Sequence, residues 1–350
     1  MTFKILMAKQ DKSPVKEPAT AQSILMQKIR EMLPPNISFV EELSDLLGVS
    51  NDSAYRRIRG ETALSIEEIA LICKKFRISF DSFINSNDSG LVTFSYKPLT
   101  NSIESFRVYL ENILSDIKKI QHFDQKQIIF AAEDVPIWHH FTQPDLTSFK
   151  IFYWMKSILS VPELEDKKYE PGIISKDMID TATQIANVYN TIPSIEVWSE
   201  DTVNSTLKQV EFYWDSGVFR NKADCLHVID LIEKMVNHIR KQAEQKCKFG
   251  MDKPTGEFEN NYTLYHSDVM IGNNCILVTM GSVKAAYLSY HTFNAMLTTN
   301  NGFAQETEGW LNILIRKSIQ ISGVAEKQRY QFFRRIDEQL KRLRDKVEKD

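Results

Sequence analysis

Residues 43–65 read LSDLLGVSNDSAYRRIRGETALS, and this stretch decides the N-terminal fold. Leu43, Leu46 and Leu47 stand at i, i+3 and i+4, which gives one short helix a single apolar side. Gly48 follows where a helix ends in a left-handed residue, a conformation glycine adopts without a Cβ clash. Val49 plugs the core from within the turn. Ser50 is a good N-cap for a second helix, its hydroxyl placed to accept from the orphan amide of Asp52 or Ser53. Ala54 is small enough for the helices to cross closely, Ile58 lies one turn on, and Gly60 closes the helix. Two short helices joined by a tight glycine turn are an architecture that presents the second helix to a DNA major groove.

With its flanks, the segment resembles the lambda-repressor-like (XRE-type) helix-turn-helix regulators. The likeness covers about residues 22–85. It rests on the spacing of Leu43, Ser44, Leu47, Gly48, Val49, Ser50, Ala54, Gly60 and Ser65. Downstream, IEEIALICKKFRISFDSFI continues it, with Ile66, Ile69, Ile72, Phe76 and Ile78 as core and Phe80 and Phe83 closing the bundle. The resemblance implies an all-α DNA-binding bundle whose base-reading positions are Asn51, Asp52 and Arg56. Chemically, asparagine pairs with an adenine edge, arginine with a guanine edge, and aspartate accepts from cytosine N4. Ser53 and Tyr55 would lie nearer the sugar-phosphate backbone, with Arg57 and Arg59 as further phosphate contacts, and Ser50 at the helix start counts among the DNA-binding residues. The same residues also fit the solvated face of an exposed helix, and Asp52 equally suits a first helical turn, which favours acids.

Charge limits the strength of any DNA contact. Residues 21–85 hold eight Lys and Arg against nine Asp and Glu, a balance of about −1. Neutralised phosphates and released counterions supply most non-specific affinity, so a binding domain usually carries a basic excess. Here three arginines within four residues (Arg56, Arg57, Arg59) concentrate the positive charge on one helix. The expectation is weak binding by a monomer, a steep salt dependence and a homodimer presenting two such helices to double-stranded DNA.

The whole chain has 350 residues, 25% of them charged and 43% hydrophobic, with a net charge of −3, which suits a soluble protein of two or three domains. It contains no apolar run of membrane-spanning length, and the apolar start is too short for a signal peptide. Cys73, Cys225, Cys247 and Cys275 lack CxxC spacing and read as reduced, mostly buried thiols of a cytoplasmic protein rather than a zinc site. The reading divides the chain into a flexible tail (1–20), a helix-turn-helix domain (21–85) and a linker with a first strand (86–100). A mixed α/β effector or oligomerisation domain (101–323) and a C-terminal amphipathic helix (324–350) follow.

In the larger part, residues 91–97, 128–132, 194–198, 262–271, 275–280 and 283–290 read as strands, the last three joined by hairpin turns around Gly272 and Gly281. Helical spacing covers residues 101–121, 136–141, 146–159, 175–189, 200–214 (capped by Ser199), 223–248, 306–321 and 325–346. No dinucleotide, P-loop, zinc-protease or nucleophile-elbow motif occurs, so no enzyme, cofactor or metal is expected. His139 and His140 are adjacent on a helix and point about 100° apart, which suits polar packing better than shared ligation. Glu133 and Asp134 follow a buried strand where α/β sheets place ligands, and they equally suit helix capping. Aromatic clusters at 149–154 and 212–214 fit a core or an effector pocket. Phe333, Ile336, Leu340, Leu343 and Val347 form a stripe that fits packing on its own domain or a dimer contact. Residues 262–314 resemble phospholipase-D-like sensor domains. That fold's enzymes need a His-x-Lys pair, whereas His266 is followed by Ser267 and Asp268, so the resemblance implies a non-catalytic sensor.

Overall fold

A computed structural model describes residues 20–34, 37–76, 78, 90–253 and 256–350. Phe80, Phe83, most of the N-terminal tail and residues 86–89 of the linker lie outside the described residues. The chain separates into two compact units, Met1–Ile84 and Asn85–Asp350.

In the first unit, α1 (Ala21–Met32), α2 (Phe39–Leu47), α3 (Asn51–Ile58) and α4 (Ile66–Phe76) surround Leu25, Met26, Ile29, Phe39, Leu43, Ala54, Ile72 and Ile78. Gly48 ends α2 at φ +63°, as the leucine spacing and glycine position lead one to expect. Leu46, Leu47, Val49 and Ile58 are only partly buried against this core. Four hydroxyl caps start the helices: Thr20, Ser38, Ser50 and Ser65 accept from the backbone amides of Ser23, Glu41, Ser53 and Glu68. At α4 the cap is reciprocal, since Glu68 Oε2 also accepts from Ser65 N–H at 3.0 Å.

The second unit is a mixed α/β domain around an eight-stranded sheet of order β1-β7-β6-β5-β2-β3-β4-β8. Its centre is parallel: β2 (Lys126–Ala132), β3 (Ser194–Trp198) and β4 (Tyr262–His266) run side by side. The antiparallel flank is β5 (Cys275–Met280), β6 (Val283–Tyr290), β7 (Asn294–Thr298) and β1 (Ser95–Tyr96). On the other edge, β8 (Ile319–Gln320) pairs antiparallel with β4.

Alternation along β2 sends Ile128, Phe130 and Ala132 into one core and Ile129 and Ala131 into another. Over the first face lie α5 (Ile103–Gln121), α6 (Ile137–His140), α7 (Pro144–Tyr153), α8 (Lys176–Tyr189), α9 (Asn204–Asp215), α10 (Lys222–Gln245) and α12 (Glu326–Lys349), which supply the larger core. Over the second face lies α11 (Asn301–Lys317), burying Ala304, Leu311 and Leu314 against the sheet.

Several local expectations change. Residues 91–97 contribute only the exposed pair Ser95–Tyr96 to the sheet, while Phe94 packs edge-on against Phe303. β4 stops at His266, because the Ser267 hydroxyl takes the Val269 amide and turns the chain. It is not joined to β5 by a hairpin: β5 adds to the far side of β2, and only β5–β6 and β6–β7 turn back directly. Ser199 caps no helix. Its hydroxyl accepts from Asp201 N–H, and α9 begins five residues later at Asn204. The helix expected across 146–159 ends at Tyr153 and continues as a π-turn, Trp154–Ile158.

The stripe on the last helix is core. Phe333, Ile336, Leu340, Leu343 and Val347 are all buried in the same cluster as α10 residues, so that face is consumed within the unit and offers no dimer contact. Among the described residues no helix is long and apolar enough to cross a membrane. The four cysteines are free thiols, and burial pushes Cys225 up to about 12 and Cys275 up to about 11.

Candidate nucleic-acid interface

The sequence of α3 divides its surface. Ala54 is completely buried, whereas Asn51, Asp52, Tyr55, Arg56 and Arg59 are exposed. Those five stand at i, i+1, i+4, i+5 and i+8, so helical geometry gathers them on one solvent-facing side. Ser50 and Ser53 lie at the helix start, where the Ser50 hydroxyl accepts from Ser53 N–H at 3.3 Å. The helix N-terminus therefore presents amides and small hydroxyls, a suitable setting for a phosphate. Arg59 sits over the Tyr55 ring at 5.7 Å, so these two side chains are mutually ordered.

The three arginines have different surroundings. Arg57 is turned inward: it pairs with Glu68 at 2.9 Å and donates to Ser53 O at 3.2 Å, with its side chain only 17% exposed. The Arg57 guanidinium beside Glu68 holds that carboxyl below the usual carboxylate range. Arg57 thus joins α3 to the capped start of α4. Arg56 and Arg59 remain outside, with side chains 57% and 59% exposed, and both lie near Glu61, at 3.9 and 3.2 Å.

Gln22 is a positioning residue the sequence reading passed over. Its side-chain amide donates to Arg57 O and Thr62 O, both at 2.8 Å, and its carbonyl accepts from Leu64 N–H at 3.1 Å. One α1 side chain therefore fixes the carboxyl end of α3 and the loop beyond it. A lone glutamine on an amphipathic helix carries no periodic signal that could have revealed this.

The second unit has a crevice of its own. Beyond the carboxyl ends of β2 and β3 lies a cavity of about 500 Å³ lined by Glu133, Tyr153, Asp201, Lys208, Gln209 and Thr292. This is where open α/β sheets place ligands, at the strand beside which the order of added strands reverses. Burial, and then the neighbouring Asp134, raises the Glu133 carboxyl. Behind the lining, Gln209 Oε1 accepts from Lys150 at 2.7 Å, and burial pushes Lys150 down to about 8. Of the aromatic clusters, Phe149, Phe152, Trp154 and Tyr213 are core, while Tyr153 borders the cavity.

His139 and His140 diverge as their spacing requires. His140 Nε2 meets Thr206 Oγ1 at 3.1 Å, whereas His139 Nε2 lies 2.9 Å from Glu196, a fully buried carboxylate on β3. Glu196 also accepts from Tyr189, Trp198 and Tyr262 at 2.5, 2.9 and 2.9 Å. Burial raises this carboxyl, but His139, Tyr189 and Lys248 more than offset it, so it stays below the ordinary value. Lys248 sits 3.6 Å from the Tyr189 ring centre and donates to Ser194 Oγ at 2.8 Å. With its donors in place, the network acts as a polar pin through the sheet core.

A family model described as the BetR domain matches residues 20–108. The BetR domain is a DNA-binding, helix-turn-helix-like domain, and the match covers the whole described helical bundle, β1 and the first turns of α5. No curated protein and no solved structure matches the chain.

Proposed function

We propose that this protein is a cytoplasmic, sequence-specific transcriptional regulator of the lambda-repressor-like (XRE) kind, acting on double-stranded DNA as a homodimer. The observation that carries this reading is the exposed face of α3. Asn51, Asp52, Tyr55, Arg56 and Arg59 share it, opposite the buried Ala54 and in a region matching a DNA-binding family. Asn51 and Arg56 read base edges, while the capped helix start and Arg59 hold phosphates. Arg57 supports the helix through Glu68. The α/β unit is a non-catalytic effector domain in this reading, supported by the crevice at the β2 and β3 ends and by the Ser267–Asp268 departure from a His-x-Lys pair.

A second reading has its own support. Glu61 lies against both exposed arginines, and the helical unit carries no basic excess, features that suit a protein-interaction module that does not bind DNA. DNA-sequence selection with the full chain, at low and at physiological salt and with Arg56→Ala alongside, separates the two. Enrichment of a two-half-site motif that the variant loses supports the regulator. Absence of any enriched sequence at either salt overturns it in favour of the interaction module.

A further inference from the structure

The carboxyl ends of β3 and β4 in the second unit carry a constellation that the DNA reading leaves unused. His266 is the last residue of β4, Asp268 follows two positions on, and Glu200 lies in the turn after β3. The parallel pairing places Trp198 opposite His266, so both chains leave the sheet together. The loop holding Asp268 is tied down, since Ser267 N–H donates to Trp198 O at 2.8 Å and the Ser267 hydroxyl accepts from Val269 N–H at 3.1 Å.

His266 is 9% exposed, and its Nε2 is buried without a hydrogen-bond partner among the described residues. That nitrogen lies 3.8 Å from Glu200 Oε1 and 3.7 Å from Asp268 Oδ1. Both separations are too long for hydrogen bonds. They match the spacing of atoms around one cation held by bonds of about 2.1 Å, which leaves neighbouring ligands about 3–4 Å apart. One donor atom from each of the three residues lies within 4.8 Å of the others. An orphaned buried imidazole nitrogen costs folding free energy unless something satisfies it.

We propose that His266, Glu200 and Asp268 bind one divalent transition-metal cation, with zinc the best fit to one imidazole and two carboxylates. Zinc accepts such N and O donors at tetrahedral spacing, leaving the fourth position to water or a ligand. Arg335, on α12, pairs with Glu200 through Oε1, the oxygen that faces His266, so a bound cation must share that oxygen with the guanidinium or move the carboxylate to its other oxygen. Phe332 from the same helix packs its ring 4.9 Å from His266 and shields that side of the imidazole. No motif spacing links Glu200 to His266 and Asp268, because Glu200 stands in the turn after β3 and the other two at the end of β4 and just beyond it.

The test is calorimetric titration of the chelator-stripped full chain with Zn²⁺, repeated with Co²⁺ so that visible absorption reports the coordination. Binding of one equivalent is expected, weakened by about tenfold or more in Asp268→Asn and in His266→Gln. The exposed His122 provides the control, and His122→Ala is expected to bind as the parent does. Asp268 has a side chain 80% exposed, so its variant keeps the test decisive if His266→Gln folds poorly. No binding, or equal affinity in parent and Asp268→Asn, overturns the proposal. Neither result depends on DNA binding.

Discussion

Three arginines that look equivalent in the sequence are divided by their neighbours. Arg56 and Arg59 face solvent beside Glu61, while Arg57 is held by Glu68 and Ser53 O. Arg56→Ala is expected to weaken specific DNA binding by about 1–3 kcal/mol without changing thermal stability, as read by binding isotherms and melting curves. Arg57→Ala should instead lower stability by about 1 kcal/mol, because it frees a partly buried carboxylate at the α4 cap. Glu61→Gln removes the acid competing for Arg56 and Arg59, so it should tighten DNA binding and steepen its salt dependence. An unchanged affinity in Glu61→Gln would show that these ion pairs do not compete with DNA.

At the scale of elements, short-range chemistry explains what was legible. The Gly48 turn, the Ser50 cap and the small Ala54 all depend on neighbours within one or two helical turns, and all stand where the sequence places them. Gly48→Ala should cost about 1 kcal/mol from its φ of +63° alone, since nothing lies within 4 Å of an added Cβ. The last helix shows the limit of pattern reading. A stripe at three- and four-residue spacing specifies an apolar face but not the surface that covers it. That surface is the unit's own core, so Leu340→Ala should lower unfolding free energy by about 2–5 kcal/mol in a denaturant titration. The strand pairing of 262–290 was similarly open, because turn residues between two strands do not say whether those strands are neighbours in the sheet.

Across the whole molecule, burial of ionisable groups makes stability depend on pH. His238, on α10, is 7% exposed and donates from Nε2 to Phe249 O at 2.8 Å. Burial lowers it from 6.5 to about 4. The unfolded chain therefore binds more protons between these values, and stability falls as pH drops through that window. The contribution reaches about 3 kcal/mol by pH 4 on the usual conversion of pKa differences. Denaturant titrations at pH 7 and pH 4.5, in parent and His238→Gln, should show the parent losing more stability on acidification; equal losses would remove His238 as the cause.

What the sequence by itself determined is local: the Gly48 helix stop, the Ser50 helix start, the apolar stripe of the last helix, the division into a helical N-terminal bundle and a mixed α/β remainder, and the residue types on α3. Caps, φ preferences and 3.6-residue periodicity act within a few positions, so they are written in contiguous residues. Only the tertiary structure decided that Arg57 belongs to Glu68, that Gln22 pins the end of α3, that Glu196 gathers four donors inside the sheet, and that His266 faces Glu200 and Asp268. Each of these joins separate elements or loops. Such contacts arise from strand order and helix packing, through which residues distant in the chain share a buried, low-dielectric environment.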